Sequence, residues 1–123
     1  MGITNSRTVG DAAERIALDY LLSQNLSLLE RNFHCRVGEI DLIMLDSDCL
    51  VFVEVRYRKP NRFASAAASV DARKQRKLAN AAAFYLGRNS ALANHVIRFD
   101  VVALYGPTES KSKLQWLRDA FRT

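Results

Sequence analysis

Cysteine, proline and glycine are all scarce here, at two, two and five copies in 123 residues. Two cysteines cannot build the stapled framework of a small secreted scaffold. Neither Cys35 nor Cys49 has a second Cys or a His at zinc-ligand spacing, and His34 beside Cys35 is no such motif. Both thiols are therefore expected to be reduced, in a cytoplasmic protein. No apolar run is long enough to cross a bilayer, and the N-terminus lacks the charged-then-apolar layout of a signal peptide. No partnership with a membrane is expected. With one tryptophan and no interleaved aromatic platform, a reader of stacked bases is also excluded.

What remains is a chain with 49% apolar residues, enough for one core, and no repeat or low-complexity tract. A single domain over 1–123 is expected, with 1–7 and 106–113 flexible. The net charge of +5 favours a polyanionic partner, nucleic acid before an anionic membrane surface.

Two segments concentrate the chemistry. Gly38-Glu39-Ile40-Asp41-Leu42-Ile43 and Phe52-Val53-Glu54-Val55-Arg56-Tyr57-Arg58 each set acids inside an apolar, β-branched run that otherwise reads as a buried strand. Asp46-Ser47-Asp48-Cys49 between them has turn composition, so the pair predicts an antiparallel hairpin. A symmetric turn places Leu45 opposite Leu50, Ile43 opposite Phe52, Asp41 opposite Glu54 and Glu39 opposite Arg56. The other face then pairs Ile40 with Val55, Leu42 with Val53 and Met44 with Val51, and is wholly apolar. Like charges opposed across a sheet are unfavourable, more so when desolvated. A divalent cation between Asp41 and Glu54 would relieve that cost.

Around the hairpin, Thr8 to Gln24 predicts a helix capped by Thr8, with Ala13, Ile16, Ala17, Tyr20 and Leu21 as its apolar stripe. Leu28 to Cys35 predicts a first strand with Leu29 and Phe33 in the core. Pro60-Asn61 ends the third strand, and small residues through Ala68 predict a loop. Ser69 or Asp71 can cap a second helix that runs to about Leu86, with Gly87 as its stop. Val96 to Tyr105 predicts a last strand, joined in parallel through the helical crossover. Leu114 through Trp116 and Leu117 to Phe121 predicts a short closing helix. The order helix-strand-strand-strand-helix-strand-helix gives an α/β fold, a mixed sheet flanked by helices.

The segments Gly-Glu-Ile-Asp-Leu-Ile and Val-Phe-Val-Glu-Val-Arg, followed by Arg98-Phe99-Asp100-Val101-Val102, resemble the small bacterial YraN-like family of uncharacterised proteins. The likeness begins at Gly10, Glu14 and Ala17 and extends to Ser69-Val70 and Arg73-Lys74. That family looks like the PD-(D/E)xK nuclease superfamily, archaeal Holliday-junction resolvases in particular. The resemblance implies a restriction-endonuclease-like fold and a metal-dependent site. It puts the metal-binding acids at Asp41 and Glu54, an extra ligand at the Val55 backbone carbonyl, and a helper acid at Glu14. Arg56 departs from the pattern, which has lysine there. Resolvases cut symmetric junctions as dimers, so a homodimer is a candidate by analogy.

Hard carboxylate oxygens suit Mg²⁺ or Mn²⁺, which would activate water and polarise a phosphodiester. Arginine stays protonated and is a poor base, so Arg56 suits phosphate binding better than proton transfer. Lys59 and Lys74 lie on segments near the hairpin's end and can reach the site. Two basic groups, Arg58, Lys59 and Arg62 beside the third strand and Arg73, Lys74 and Lys77 on the second helix, predict phosphate contacts without base reading. Glu39 is expected to bridge Arg56, and Asp100 to pair with Arg98. The expected function is a metal-dependent nuclease of structured or branched DNA. The alternatives are a catalytically silent nucleic-acid binder, with Arg56 as the lost lysine, and a protein-interaction module.

Overall fold

The computed structural model describes residues 6–58, 70–106 and 113–122. Its elements are α1 (Ser6–Ser23), β1 (Ser27–Cys35), β2 (Gly38–Asp46), β3 (Cys49–Arg58), α2 (Ala72–Arg88), β4 (Val96–Tyr105) and β5 (Lys113–Phe121). The strands form one five-stranded sheet in the order β1-β2-β3-β4-β5. All neighbours are antiparallel except β3 and β4, which run parallel from Cys49↔Val96 to Arg58↔Tyr105. A parallel pair needs a long crossover, and α2 lies on it.

Both faces of the sheet are covered, which is why β3 reads as a nearly continuous apolar run. On one face Leu78, Ala81, Ala82 and Tyr85 of α2 pack against Ile43, Phe52, Phe99 and Val101. On the other, Ala13, Ala17, Leu18 and Leu21 of α1 pack against Leu42, Met44, Val51, Val53 and Val102. The predicted stripe of α1 is thus its buried side, with Ile16 and Tyr20 half-buried beside it. Phe52 and Phe99 stack at 5.6 Å between ring centres, and Phe99 and Phe121 at 5.1 Å. Such ring pairs contribute about 0.5–1.5 kcal/mol each beyond their burial.

The hairpin register matches the sequence expectation at every pair of its ladder, Asp46↔Cys49, Leu45↔Leu50, Met44↔Val51, Ile43↔Phe52 and Leu42↔Val53. There the ladder ends. The expected oppositions of Asp41 with Glu54 and of Glu39 with Arg56 fall beyond it, and β3 continues only along β4. The expected faces also fail at one residue. Ile40 lies on the α2 side with Ile43 and Phe52, whereas Val55 packs on the α1 side. The cause stands next to it: Arg31↔Leu42 and Phe33↔Ile40 bracket Asn32 and Asp41, and Asn32 has φ 52°. That left-handed residue breaks the alternation of both strands, at a conformation asparagine tolerates better than most.

Four further expectations are corrected. Residues 113–121 are a strand, not a helix. Leu117 and Phe121 lie on the face opposite Leu114 and Trp116, and the pairing is irregular between Leu117 and Phe121, where Asp119 has φ 52°. Apolar side chains on both faces of one strand, at 114, 117 and 121, fall at helical spacing. Thr8 lies inside α1, which starts at Ser6. Gly87 lies inside α2, whose end is capped by Asn89, its amide on Leu86 O and its side chain on Tyr85 O. Leu29 is exposed because β1 bulges between Leu28 and Glu30. Asp71, one of the two expected caps, accepts the Lys74 amide at 2.9 Å; Ser69 lies outside the described residues.

Of the stretches expected to be flexible, 1–5 and 107–112 lie outside the described residues. Ser6 opens α1, Gly106 is buried and bonds Arg58 O, and Lys113 opens β5. No described helix is long and apolar enough to cross a membrane.

Candidate functional site

β2 and β3 separate beyond Leu42 and Val53, and the two acids stand where they part. Asp41 Oδ2 accepts the Val55 amide at 2.8 Å, replacing a backbone acceptor with a carboxylate. Glu54 is 4% exposed. Burial first, and the Asp41 charge second, push its carboxyl up to about 7, against the opposing pull of Lys74 and Arg56. Burial also raises Asp41 above the usual carboxylate range, although the Val55 amide and Lys74 act the other way. Two desolvated acids therefore compete for one proton, the arrangement that a bound cation would relieve.

Two basic side chains reach the same oxygen of Glu54. Arg56 Nη1 lies 3.4 Å from Oε2 and Lys74 Nζ lies 3.5 Å from it. Arg56 comes from β3 and Lys74 from the first turn of α2. The approach of α2 to the hairpin depends on Gly38: a β-carbon there would stand 2.9 Å from Lys77 O. Only glycine lets backbone pass backbone at that distance.

Glu14 of α1 is on the opposite side of Asp41, and it is 7% exposed. Burial and the Asp41 charge raise its pKa, while Arg31 and a hydrogen bond from Asn32 lower it. Its Oε1 is buried without a hydrogen-bond partner among the described residues; Arg31 Nη2, at 3.7 Å, is too far for one. Glu14 and Asp41 line an open cavity of about 500 Å³ together with Asp11, Glu39, Val55 and His34. No described lysine or arginine lines it. That donor set suits a hard divalent cation. Among the described residues no three His, Cys, Asp or Glu side chains gather into one metal-holding group. Mg²⁺ commonly takes only one or two carboxylates from a protein and keeps water for the rest, so a pair of acids is enough carboxylate for it.

The expected Glu39–Arg56 bridge gives way to other partners. Glu39 Oε2 pairs with His34 Nδ1 at 3.0 Å across β1 and β2, and Arg56 turns to Glu54. Asp100 behaves as expected, bonded to Arg98 at 2.8 Å, and also accepts from Trp116 and the Asp119 amide.

The basic residues fall into place unevenly. Arg56, Arg73, Lys74 and Lys77 line a concavity of about 290 Å³. Lys74 and Lys77 also line a second one, of about 390 Å³, with Arg36 and Gly38. Arg58 ends β3 half-buried, and its Nε has no hydrogen-bond partner among the described residues. Lys59 and Arg62 lie outside the described residues. Arg36 was not singled out by sequence, because one arginine in a two-residue turn carries no pattern. Asn32, part of the family resemblance, shows its structural role through its backbone angle.

Residues 13–104 match the profile of Uncharacterised protein family UPF0102. The chain belongs to that family. A UPF0102 protein of Pseudomonas putida (strain W619) is 52% identical over 114 residues, 93% of each chain. One from Stutzerimonas stutzeri (strain A1501) is 48% identical over 121 residues, covering 98% of this chain and 100% of the relative. One from Nitrosococcus oceani is 47% identical over 116 residues, 94% of this chain and 93% of the relative. The UPF0102 match spans Glu14, Asp41, Glu54, Arg56, Lys74 and Lys77.

Proposed function

We propose that this UPF0102 protein has a restriction-endonuclease-like fold and is a divalent-metal-dependent nuclease that hydrolyses phosphodiester bonds of structured or branched DNA. The observation that carries the reading is the Asp41–Glu54 pair: a half-buried and a buried carboxyl group, both raised in pKa, at the mouth of a splayed hairpin, with two cations on Glu54. A purely structural pair would be better replaced by apolar side chains.

Asp41, Glu54 and the Val55 carbonyl would hold Mg²⁺ or Mn²⁺, which when bound polarises the phosphate and makes water a better nucleophile. The Val55 amide fixes one Asp41 oxygen, so the carboxylate cannot rotate away. Glu14, with an unsatisfied oxygen in the acidic cavity, orients water from the α1 side. Arg56 and Lys74 neutralise the phosphate that must approach two acids. Arg73 and Lys77 hold neighbouring phosphates without reading bases, which suits recognition of backbone shape. In the reaction a water oxygen bonds phosphorus, the ester P–O bond breaks, and the water proton is passed on as the departing oxygen is protonated.

Cleavage of a four-way DNA junction by the purified protein in Mn²⁺ or Mg²⁺ tests this. The parent is expected to cut, and Asp41→Ala and Glu54→Ala each to abolish cutting. Equal cutting by parent and variants would assign the activity to a contaminant. Arg56 favours a second reading, a silent nucleic-acid binder, because its guanidinium cannot trade protons. Salt-sensitive junction binding with no cleavage in either metal would select that reading.

A further inference from the structure

Two cations share Glu54 Oε2, and they are not equivalent. Both contacts, at 3.4 and 3.5 Å, are longer than the 2.7–2.9 Å or so of a charge-assisted hydrogen bond. The Arg98–Asp100 pair, by contrast, is tight at 2.8 Å. Both cations thus stand at the long end of contact range from the carboxylate, Arg56 within hydrogen-bond distance.

Lys74 combines a fixed backbone with a partly exposed head. Its amide is held by Asp71 Oδ1 at 2.9 Å, the next residue's side chain bonds Val70 O at 2.9 Å, and Gly38 seats the following turn against the hairpin. Its side chain remains 32% exposed and lines both basic concavities, the 390 Å³ one at the hairpin tip and the 290 Å³ one beside Arg56. An anionic ligand entering by either concavity meets the ammonium before it meets Glu54. A compact ammonium on a flexible stem can follow charge from the ground state to the transition state, which a planar guanidinium does less readily.

We infer that Lys74 is a catalytic residue of this site, contacting the scissile phosphate and stabilising the charge that develops on it, while Arg56 is the fixed clamp. The inference rests on the nuclease reading and assigns the decisive cation to α2 in place of the β3 strand that carries both Glu54 and Arg56. Charge that accumulates on the phosphoryl oxygens during attack is matched by the Lys74 ammonium; Glu54, once engaged by a cation of its own, releases it.

The test compares steady-state cleavage of a DNA junction in Mn²⁺ by the parent, Lys74→Ala and Lys74→Gln, with each variant's melting curve as a folding control. Loss of one preorganised charge at the reacting group is expected to lower kcat by roughly 100-fold or more. KM should move by less than about threefold, because Arg56, Arg73 and Lys77 still hold the backbone. If either folded variant keeps kcat within about threefold of the parent, or loses only KM, Lys74 is a tether and the inference is overturned while the nuclease reading stands. If the parent itself cuts nothing, the nuclease reading fails and takes this inference with it.

Discussion

The amide of Val55 donates to Asp41 Oδ2 at 2.8 Å just past the point where the β2–β3 ladder stops. A side chain has taken over from the backbone, and the strands part around it. This one bond both anchors an acid and opens the space in which it works.

The raised carboxyl of Glu54 makes stability depend on pH. Its value moves from an ordinary 4.5 to about 7, so the folded state holds the proton more tightly than the unfolded chain. Stability is then greatest below pH 4.5, as far as this group is concerned, and falls as pH rises to about 7, levelling off above. The loss is at most on the order of 3 kcal/mol. Urea unfolding of metal-free protein should show this fall between pH 5 and pH 8 or so. Glu54→Gln should flatten it and be the more stable protein at the higher pH. A slope unchanged in Glu54→Gln would assign it to other groups.

Cation binding should offset the same cost. Thermal unfolding at about pH 8 is expected to shift upward in millimolar Mn²⁺, by about 2.7 kcal/mol at a hundredfold excess over Kd. Asp41→Asn should lose most of the shift. An equal shift in the variant would move the metal elsewhere.

Gly38→Ala presses a methyl group toward Lys77 O, where only 2.9 Å is free. Backbone on α2 must retreat, at a cost of roughly 1–3 kcal/mol by analogy with overpacked cores. Lys74 retreats with it. The variant is expected to melt lower and to bind DNA more weakly, while its affinity for Mn²⁺ at Asp41 is kept. Weakened Mn²⁺ binding would show that the hairpin, not the helix, absorbs the strain.

Arg36, Lys74 and Lys77 share one concavity, so a DNA strand running across the hairpin tip should touch all three. Each phosphate contact removed lowers the salt slope of binding by about 0.9. Arg36→Ala is expected to do so in fluorescence anisotropy with metal chelated. A slope identical to that of the parent would exclude the tip from the interface.

Much of this was legible in the residues themselves. Alternation of apolar side chains fixed the hairpin register from Asp46↔Cys49 to Leu42↔Val53, because a slip would have buried charge. Asp71 announced α2, and the spacing of α1 announced its buried side. Illegible were the places where a single backbone angle departs from its element. Asn32 turns Ile40 to the other face; β5 was hidden differently, its two apolar faces together reading at helical spacing. Pairing beyond the end of a ladder was equally hidden, which is why Glu39 was assigned to Arg56 and found on His34. That Lys74 could reach the acids was visible; that it meets the same oxygen as Arg56 required coordinates.

The position of α2 on the crossover between β3 and β4 has a consequence for the order of assembly. The first three strands are joined by two-residue turns and close early, whereas the parallel pair must wait for a far longer stretch of chain to return. An intermediate with only the meander in place would carry the paired acids without the helix-borne amine. Under the nuclease reading such a species would be inert, and cleavage should emerge only with the last non-local step of folding.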